Sequence, residues 1–291
     1  MTSTSPFLPE PTPVALLKDL DIPPRPAILE RLFSLRNSRA LSLQAISQLI
    51  DASPALSGAV LKAANAPIFG ARCYLTSLPQ AISLLGMENV LNLASGLALR
   101  MVLGTKSTPG VEPFWEQVMQ EARIANLLCG RLDAVPDDCQ SFALFRRCGV
   151  VLMLMRVPGF HLTWAISREL PDSRITRFET DRHGISHDVV AYLVAQTWAM
   201  PEPFCRAILL QHYPALLAPG NDDLDPESKT MIAVCRAAQH IAQTAADAAP
   251  DPGWREREAS LLPFLGLTQA TFANWKEDLH RKLAAPAAAR P

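Results

Sequence analysis

The chain has 291 residues and 31.8 kDa, and is 49% hydrophobic but only 7% aromatic, so its core must be built mostly from Leu, Ala, Val and Ile in packed helices rather than as a β-sandwich. A formal net charge of −1 with no dense Lys/Arg run opposes a nucleic-acid-binding face. The longest apolar run, Val150 to Met155, falls far short of the about 18 residues of a membrane span.

Residues Met1 to Pro13 are rich in Ser, Thr and Pro without an apolar h-region, which predicts a disordered leader (1–13) and no export signal. Six widely spaced cysteines form no CxxC pair, so a cytoplasmic chain with reduced, core-filling thiols is expected. The stretch Ile22-Pro23-Pro24-Arg25-Pro26 is stiff and extended. A helix follows with Ile28, Leu29, Leu32, Phe33 and Leu35 on one stripe. Ser42 caps the next, whose buried face is Ile46, Leu49 and Ile50. Ser53-Pro54 is a cap followed by Pro at the first helical position. Ser77-Leu78-Pro79-Gln80 is a capping box, and its helix stops at Gly86. Another helix spans Met87 to Leu103, where the small residues Ala94, Ser95, Gly96 and Ala98 permit close helix contact.

The turn-forming run Gly104 to Gly110 is the clearest internal break. Helices are expected over Phe114 to Leu132, Cys139 to Met155 and Phe160 to Leu170. The scattered Arg168, Arg174, Arg177 and Arg182 read as a solvated loop. Ser186 caps a helix carrying Val189, Val190, Leu193, Val194 and Trp198 on one face. Pro201-Glu202-Pro203 opens the next, ending at His212. An acidic loop (219–226), a helix around Ser228 to Ala246 and a last one with Phe272, Trp275 and Leu279 inward complete the chain, before a disordered tail (284–291). No alternating hairpin pattern occurs, so the fold class is all-α.

Motifs for chemistry are sparse. No glycine-rich phosphate loop, GxSxG elbow or HExxH is present. His183 and His187 are four residues apart, but Gly184 and the cap Ser186 break the helix that would align them, so a local hydrogen-bonding role is expected. His212 reads as a helix C-terminal cap, and His161, His240 and His280 as surface or satisfied groups. Asp137-Asp138 reads as a turn. Asp222, Asp223 and Asp225 lack the Gly and Glu of a calcium loop. Arg146-Arg147 either snorkels at a helix edge or contacts an anion in a pocket.

Several segments together resemble HDOD domains. These are Ile22 to Ala27, Ile50-Asp51-Ala52-Ser53-Pro54-Ala55-Leu56, Leu61 to Ala66, Ser77 to Ile82 with Leu85-Gly86, Phe114-Trp115, Gly184-Ile185-Ser186-His187 with Val190, Trp198 to Pro203, Ala207-Ile208 and His212. The resemblance covers residues 14–215 and implies an HD-domain-like helical bundle. It divides into an N-terminal helical subdomain (14–104) and a degenerate HD-like subdomain (111–215), with a C-terminal helical extension (216–283). In metal-dependent HD enzymes a His, a consecutive His-Asp and a later Asp hold metals that activate water against a phosphoester. Here Gln117 stands where many relatives carry His. An ungapped match from Phe142 puts Cys148-Gly149 where relatives read His-Asp-Ile-Gly, and Leu210-Gln211-His212 replaces a histidine run. At most one or two donors remain, so no metal, no cofactor and no catalytic residue are expected.

The resemblance therefore implies a non-catalytic bacterial signalling protein. Its partners would be a sensor kinase, response regulator or diguanylate-cyclase-type protein, with a small ligand or nucleotide in a relict pocket and neither membrane nor nucleic acid. An atypical metal-dependent phosphodiesterase or nucleotide hydrolase, and a nucleic-acid-associated regulator, are the alternatives. The relict-pocket candidates are Gln117, Arg146, Arg147, Cys148, His183, His187 and His212. Alanine at Arg146, Arg147 and His212 is expected to spare stability and abolish ligand-induced stabilisation.

Overall fold

The computed structural model describes residues 20–36, 38–71, 73–103, 111–136, 138–245 and 251–284. Among them every regular element is helical: α1 (Ala27–Arg36), α2 (Leu43–Asp51), α3 (Pro54–Ala64), α4 (Leu78–Leu85), α5 (Met87–Leu103), α6 (Val111–Cys129), α7 (Cys139–Phe145), α8 (Cys148–Arg156), α9 (Phe160–Ser167), α10 (Asp172–His183), α11 (His187–Thr197), α12 (Glu202–Leu210), α13 (Pro226–Ala245), α14 (Pro252–Phe264) and α15 (Gln269–Ala284). Among the described residues no single helix is long and apolar enough to cross a membrane. The expected leader, the break at 104–110 and residues 285–291 of the tail lie outside the described residues.

The caps form as their sequences dictate. The Ser42 and Ser53 side chains accept from the amides of Ala45 and Leu56. Ser77 and Gln80 complete their reciprocal box. Asn65, just past α3, exchanges two hydrogen bonds with the Leu75 backbone at 2.9 and 2.8 Å and so staples the intervening loop. The Trp198 indole donates to the Pro23 carbonyl at 2.9 Å, tying the extended proline segment to the end of α11.

Packing is centred on two helix pairs, α13 along α6 and α11 along α8. Each has a glycine-size requirement nearby. A Cβ on Gly149, the second residue of α8, would collide with the backbone carbonyl oxygen of His187 and press on the Ala191 amide. The atoms nearest to a Cβ on Gly96 of α5 would all belong to the side chain of Leu144 in α7, which places the expected close contact of the small-residue stripe.

Three segments differ from the sequence reading. The run 139–155 is two helices separated at Arg146-Arg147. Residues 172–183 form a helix although Arg174, Arg177 and Arg182 were expected in a loop; its buried positions are Asp172, Ile175 and Glu179, two of them acids, so apolar periodicity does not register it. The charged α14 was not anticipated either, because it anchors through the scattered Gly253, Trp254, Arg257, Leu261 and Leu262.

The C-terminal helices dock through a ring stack: His240 of α13 on Trp254 at 4.1 Å, and Trp254 on Phe272 of α15 at 5.0 Å. Burial drives His240 from its ordinary 6.5 down to about 4. The folded ring stays neutral where the unfolded one takes a proton. Its contribution is thus complete above pH 6.5 and is lost as pH falls towards about 4. The melting temperature is expected to drop across this window in the wild type and to drop less steeply in His240→Gln. Gly149→Ala is expected to cost about 3 kcal/mol or more, because backbone must move, and Gly96→Ala clearly less, because a Leu rotamer can shift. Urea titration checks both.

Candidate functional site

Seven parts of the fold converge on one buried polar network. Glu121 comes from α6, Arg146 and Arg147 from the α7–α8 corner, Asp172 and Glu179 from α10, and His187 and Asp188 from the first turn of α11. Gln211 and His212 follow α12, Arg236 and Gln239 lie on α13, and Arg257 on α14. All are buried. Burying so many charges is tolerable only because each meets an opposite charge or a hydrogen bond: four guanidinium groups offset four carboxylates.

Arg146 is 1% exposed. Its Nη2 donates to Glu121 Oε2 at 2.7 Å and to Gln239 Oε1 at 3.1 Å, and its Nη1 donates to Gln211 Oε1 at 3.1 Å. Arg147 reaches Glu121 at 3.5 Å and lies over the Trp164 ring. Gln211 passes the connection on, its amide donating to Asp188 Oδ1 at 2.8 Å. Arg236 and Arg257 both pair with Asp172, and Arg257 also donates to the Gln211 carbonyl.

The two histidines face each other, Nε2 to Nε2, at 3.2 Å. Each is held by a carboxylate on its other nitrogen: His187 Nδ1 by Glu179 Oε2 at 2.8 Å and His212 Nδ1 by Asp172 Oδ1 at 3.0 Å. Glu179 Oε2 also accepts from the His187 backbone amide at 2.9 Å. It therefore caps α11, while the expected cap Ser186 makes no side-chain cap bond. Burial alone would lower the His187 pKa, but Asp188 and Glu179 outweigh it and raise the value. For His212, burial and the positive charges of Arg236, His187 and Arg147 prevail over Asp188 and hold it well below its ordinary value. Glu179 is held low: burial would raise it, but His187 overrides. The two rings are thus pushed in opposite directions, His187 towards holding a proton and His212 towards releasing one.

A small cavity of about 30 Å³ opens beside this network, lined by Gln117, Arg147, Asp172, His212, Arg236 and Gln239 among others. The Ser167 hydroxyl, on its wall, is fully buried and has no hydrogen-bond partner. Of the seven sequence candidates, Gln117, Arg147 and His212 line the cavity, and Arg146 and His187 stand directly behind it. Cys148 and His183 do not belong. The Cys148 thiol is buried on α8 with its pKa pushed up to about 12. His183 ends α10 and bonds Thr163 at 2.7 Å, in keeping with the broken register expected between it and His187.

Further readings are corrected. His212 is no helix cap, since it sits two residues beyond α12 and bonds Asp172 and His187. Arg146 and Arg147 do not snorkel, because neither reaches solvent. Three metal-donor atoms converge rather than one or two: His187 Nε2, His212 Nε2 and Asp188 Oδ1, with separations of 3.1, 3.2 and 3.5 Å. These approach the about 3.3 Å edge of a tetrahedral site with bonds of about 2 Å. Of these atoms Asp188 Oδ1 also accepts a hydrogen bond from the Gln211 amide.

The fold and network define an HD-domain-like helical protein whose interior charge is balanced by arginine. A family model, the HDOD domain, matches residues 22–214, and the chain belongs to that family. Similar crystal structures include a candidate phosphohydrolase of Shewanella amazonensis (TM-score 0.63, 21% identity, 93% of this chain and 98% of that one). A candidate signal transduction protein of Marinobacter aquaeolei is also similar (0.70, 22%, 92% and 59%), as is an HDOD domain protein of unknown function from Geobacter sulfurreducens (0.66, 17%, 93% and 97%). No curated protein matches the sequence.

Sequence reading missed Glu121, Asp172, Glu179, Asp188, Arg236, Gln239 and Arg257. One signal was available, the consecutive His187-Asp188. The rest are single polar residues at helix positions that only the packing makes buried. With Arg146 so deeply paired, Arg146→Ala is expected to cost about 3–5 kcal/mol by stranding Glu121. The double replacement Arg146→Met with Glu121→Leu should recover most of that, as chemical denaturation of both variants will show.

Proposed function

We infer that this protein is a non-catalytic signalling module that acts through contacts with a signalling partner and through a small ligand in the arginine-lined cavity. The observation that supports this reading is the buried, carboxylate-paired Arg146-Arg147 just before Gly149; with Gly149 taken as the glycine of the His-Asp-Ile-Gly run, these two arginines fall on its His-Asp positions. A hydrolase of this fold needs metal to generate its nucleophile from water at neutral pH. A guanidinium neither binds a cation nor, with Arg146 at about 9, accepts a proton at neutral pH. What Arg147, Arg236, Gln117 and the unpartnered Ser167 hydroxyl offer the cavity are hydrogen-bond donors suited to an oxyanion. The fold itself does not choose between hydrolysis and signalling. The residues do.

The convergence of His187, Asp188 and His212 favours a second reading, a single-ion phosphohydrolase. Both readings are separated by measuring elemental metal content and turnover of cyclic dinucleotides on the purified chain. The signalling reading expects substoichiometric metal and no turnover, together with a thermal shift by nucleotides that Arg147→Ala abolishes. Stoichiometric metal with metal-dependent turnover would overturn it.

A further inference from the structure

At about 30 Å³ the arginine-lined cavity has room for about one or two water molecules. A larger ligand enters only if a wall moves. Several walls are tied by charge: Arg147 pairs with Glu121, and Asp172 with Arg236 and Arg257. The wall supplied by α9, with Trp164 and Ser167, is held differently. Among the described residues nothing from 159 to 170 forms an ion pair. The one side-chain hydrogen bond found there from α9 to another element joins Thr163 to His183 at 2.7 Å. The helix rests instead on rings. Trp164 meets His187 at 5.5 Å and Phe114 at 5.8 Å, and Phe160 meets His183 at 5.6 Å, all edge to face. Its main packing partners are α8 and α10, its neighbours in the chain.

This helix is also placed partly against its own polarity. Leu162 and Ile166 face water, 64% and 46% exposed, while Ser167 is fully buried with its hydroxyl unpartnered. A buried hydroxyl without a hydrogen bond is costly, and outward movement of α9 would let water satisfy it. Both ends of the helix can turn. Gly159, immediately before it, has a φ of 77° with open space where a Cβ would stand. At the other end a short link, 168–171, leads to α10. Hinges of this kind concentrate the backbone change in a few residues at element ends.

We propose that α9 is a lid over the arginine-lined site, closed in this structure and hinged at Gly159 and in the 168–171 link. Lifting it takes Trp164 off His187 and Arg147 and opens the way to His212. The inference rests on the reading of that site as a ligand site and names the step that admits the ligand.

The test uses the full chain and diethyl pyrocarbonate, which acylates an unprotonated imidazole nitrogen within its reach, with each modified residue located by peptide mass spectrometry. His212 is 3% exposed, so it reacts only through an opening. It is expected to be modified faster than the chain unfolds globally, the latter rate taken from urea unfolding kinetics extrapolated to water. Ser167→Ala removes the unpartnered hydroxyl and so favours the closed lid. It should slow the modification of His212 about fivefold or more and leave the exposed His161 reacting as before. Modification of His212 no faster than global unfolding would overturn the lid, and so would a His212 rate that Ser167→Ala leaves unchanged. No nucleotide enters this experiment, so its failure is distinct from the absence of a nucleotide-induced thermal shift.

Discussion

The fold closes around the Glu121–Arg146 ion pair. Both side chains are 1% exposed, and neither could be buried without the other. Glu121 belongs to α6 and Arg146 to the corner between α7 and α8, so the pair fixes how these helices meet. Gln239 draws α13 into the same bond set, and Gln211 extends it to α11 through Asp188. A corner that would otherwise expose unsatisfied backbone at a helix break is instead made the hub of the interior.

Around that hub the charges are arranged in relay. Asp172 is shared by Arg236, Arg257 and His212, which brings the C-terminal extension, through α14, into contact with the α10–α11 region. Glu179 both caps α11 and orients His187. His187 and His212 face each other at 3.2 Å, nitrogen to nitrogen. Four guanidinium groups, those of Arg146, Arg147, Arg236 and Arg257, offset the buried carboxylates of this interior.

At Gly149, which an ungapped sequence reading set with Cys148 at the His-Asp positions, the structure shows a steric demand instead: the α8–α11 contact leaves no room for a Cβ. His183 was set apart from His187 correctly, because the left-handed Gly184 (φ 72°) ends α10 there.

By itself the sequence determined the helical class, the caps at Ser42, Ser53 and Ser77 and most helix positions, because these depend on periodicity and on backbone groups a few residues away. It also carried the family, through the order of its motifs. Only the tertiary structure decided that Glu121, Asp172, Glu179, Arg236 and Arg257 are interior and paired, that α10 and α14 are helices, and that His212 faces His187. The partners of these residues lie up to 85 positions away, as Arg257 and Asp172 do, and no local pattern encodes a charge that becomes buried only when its opposite arrives from another helix.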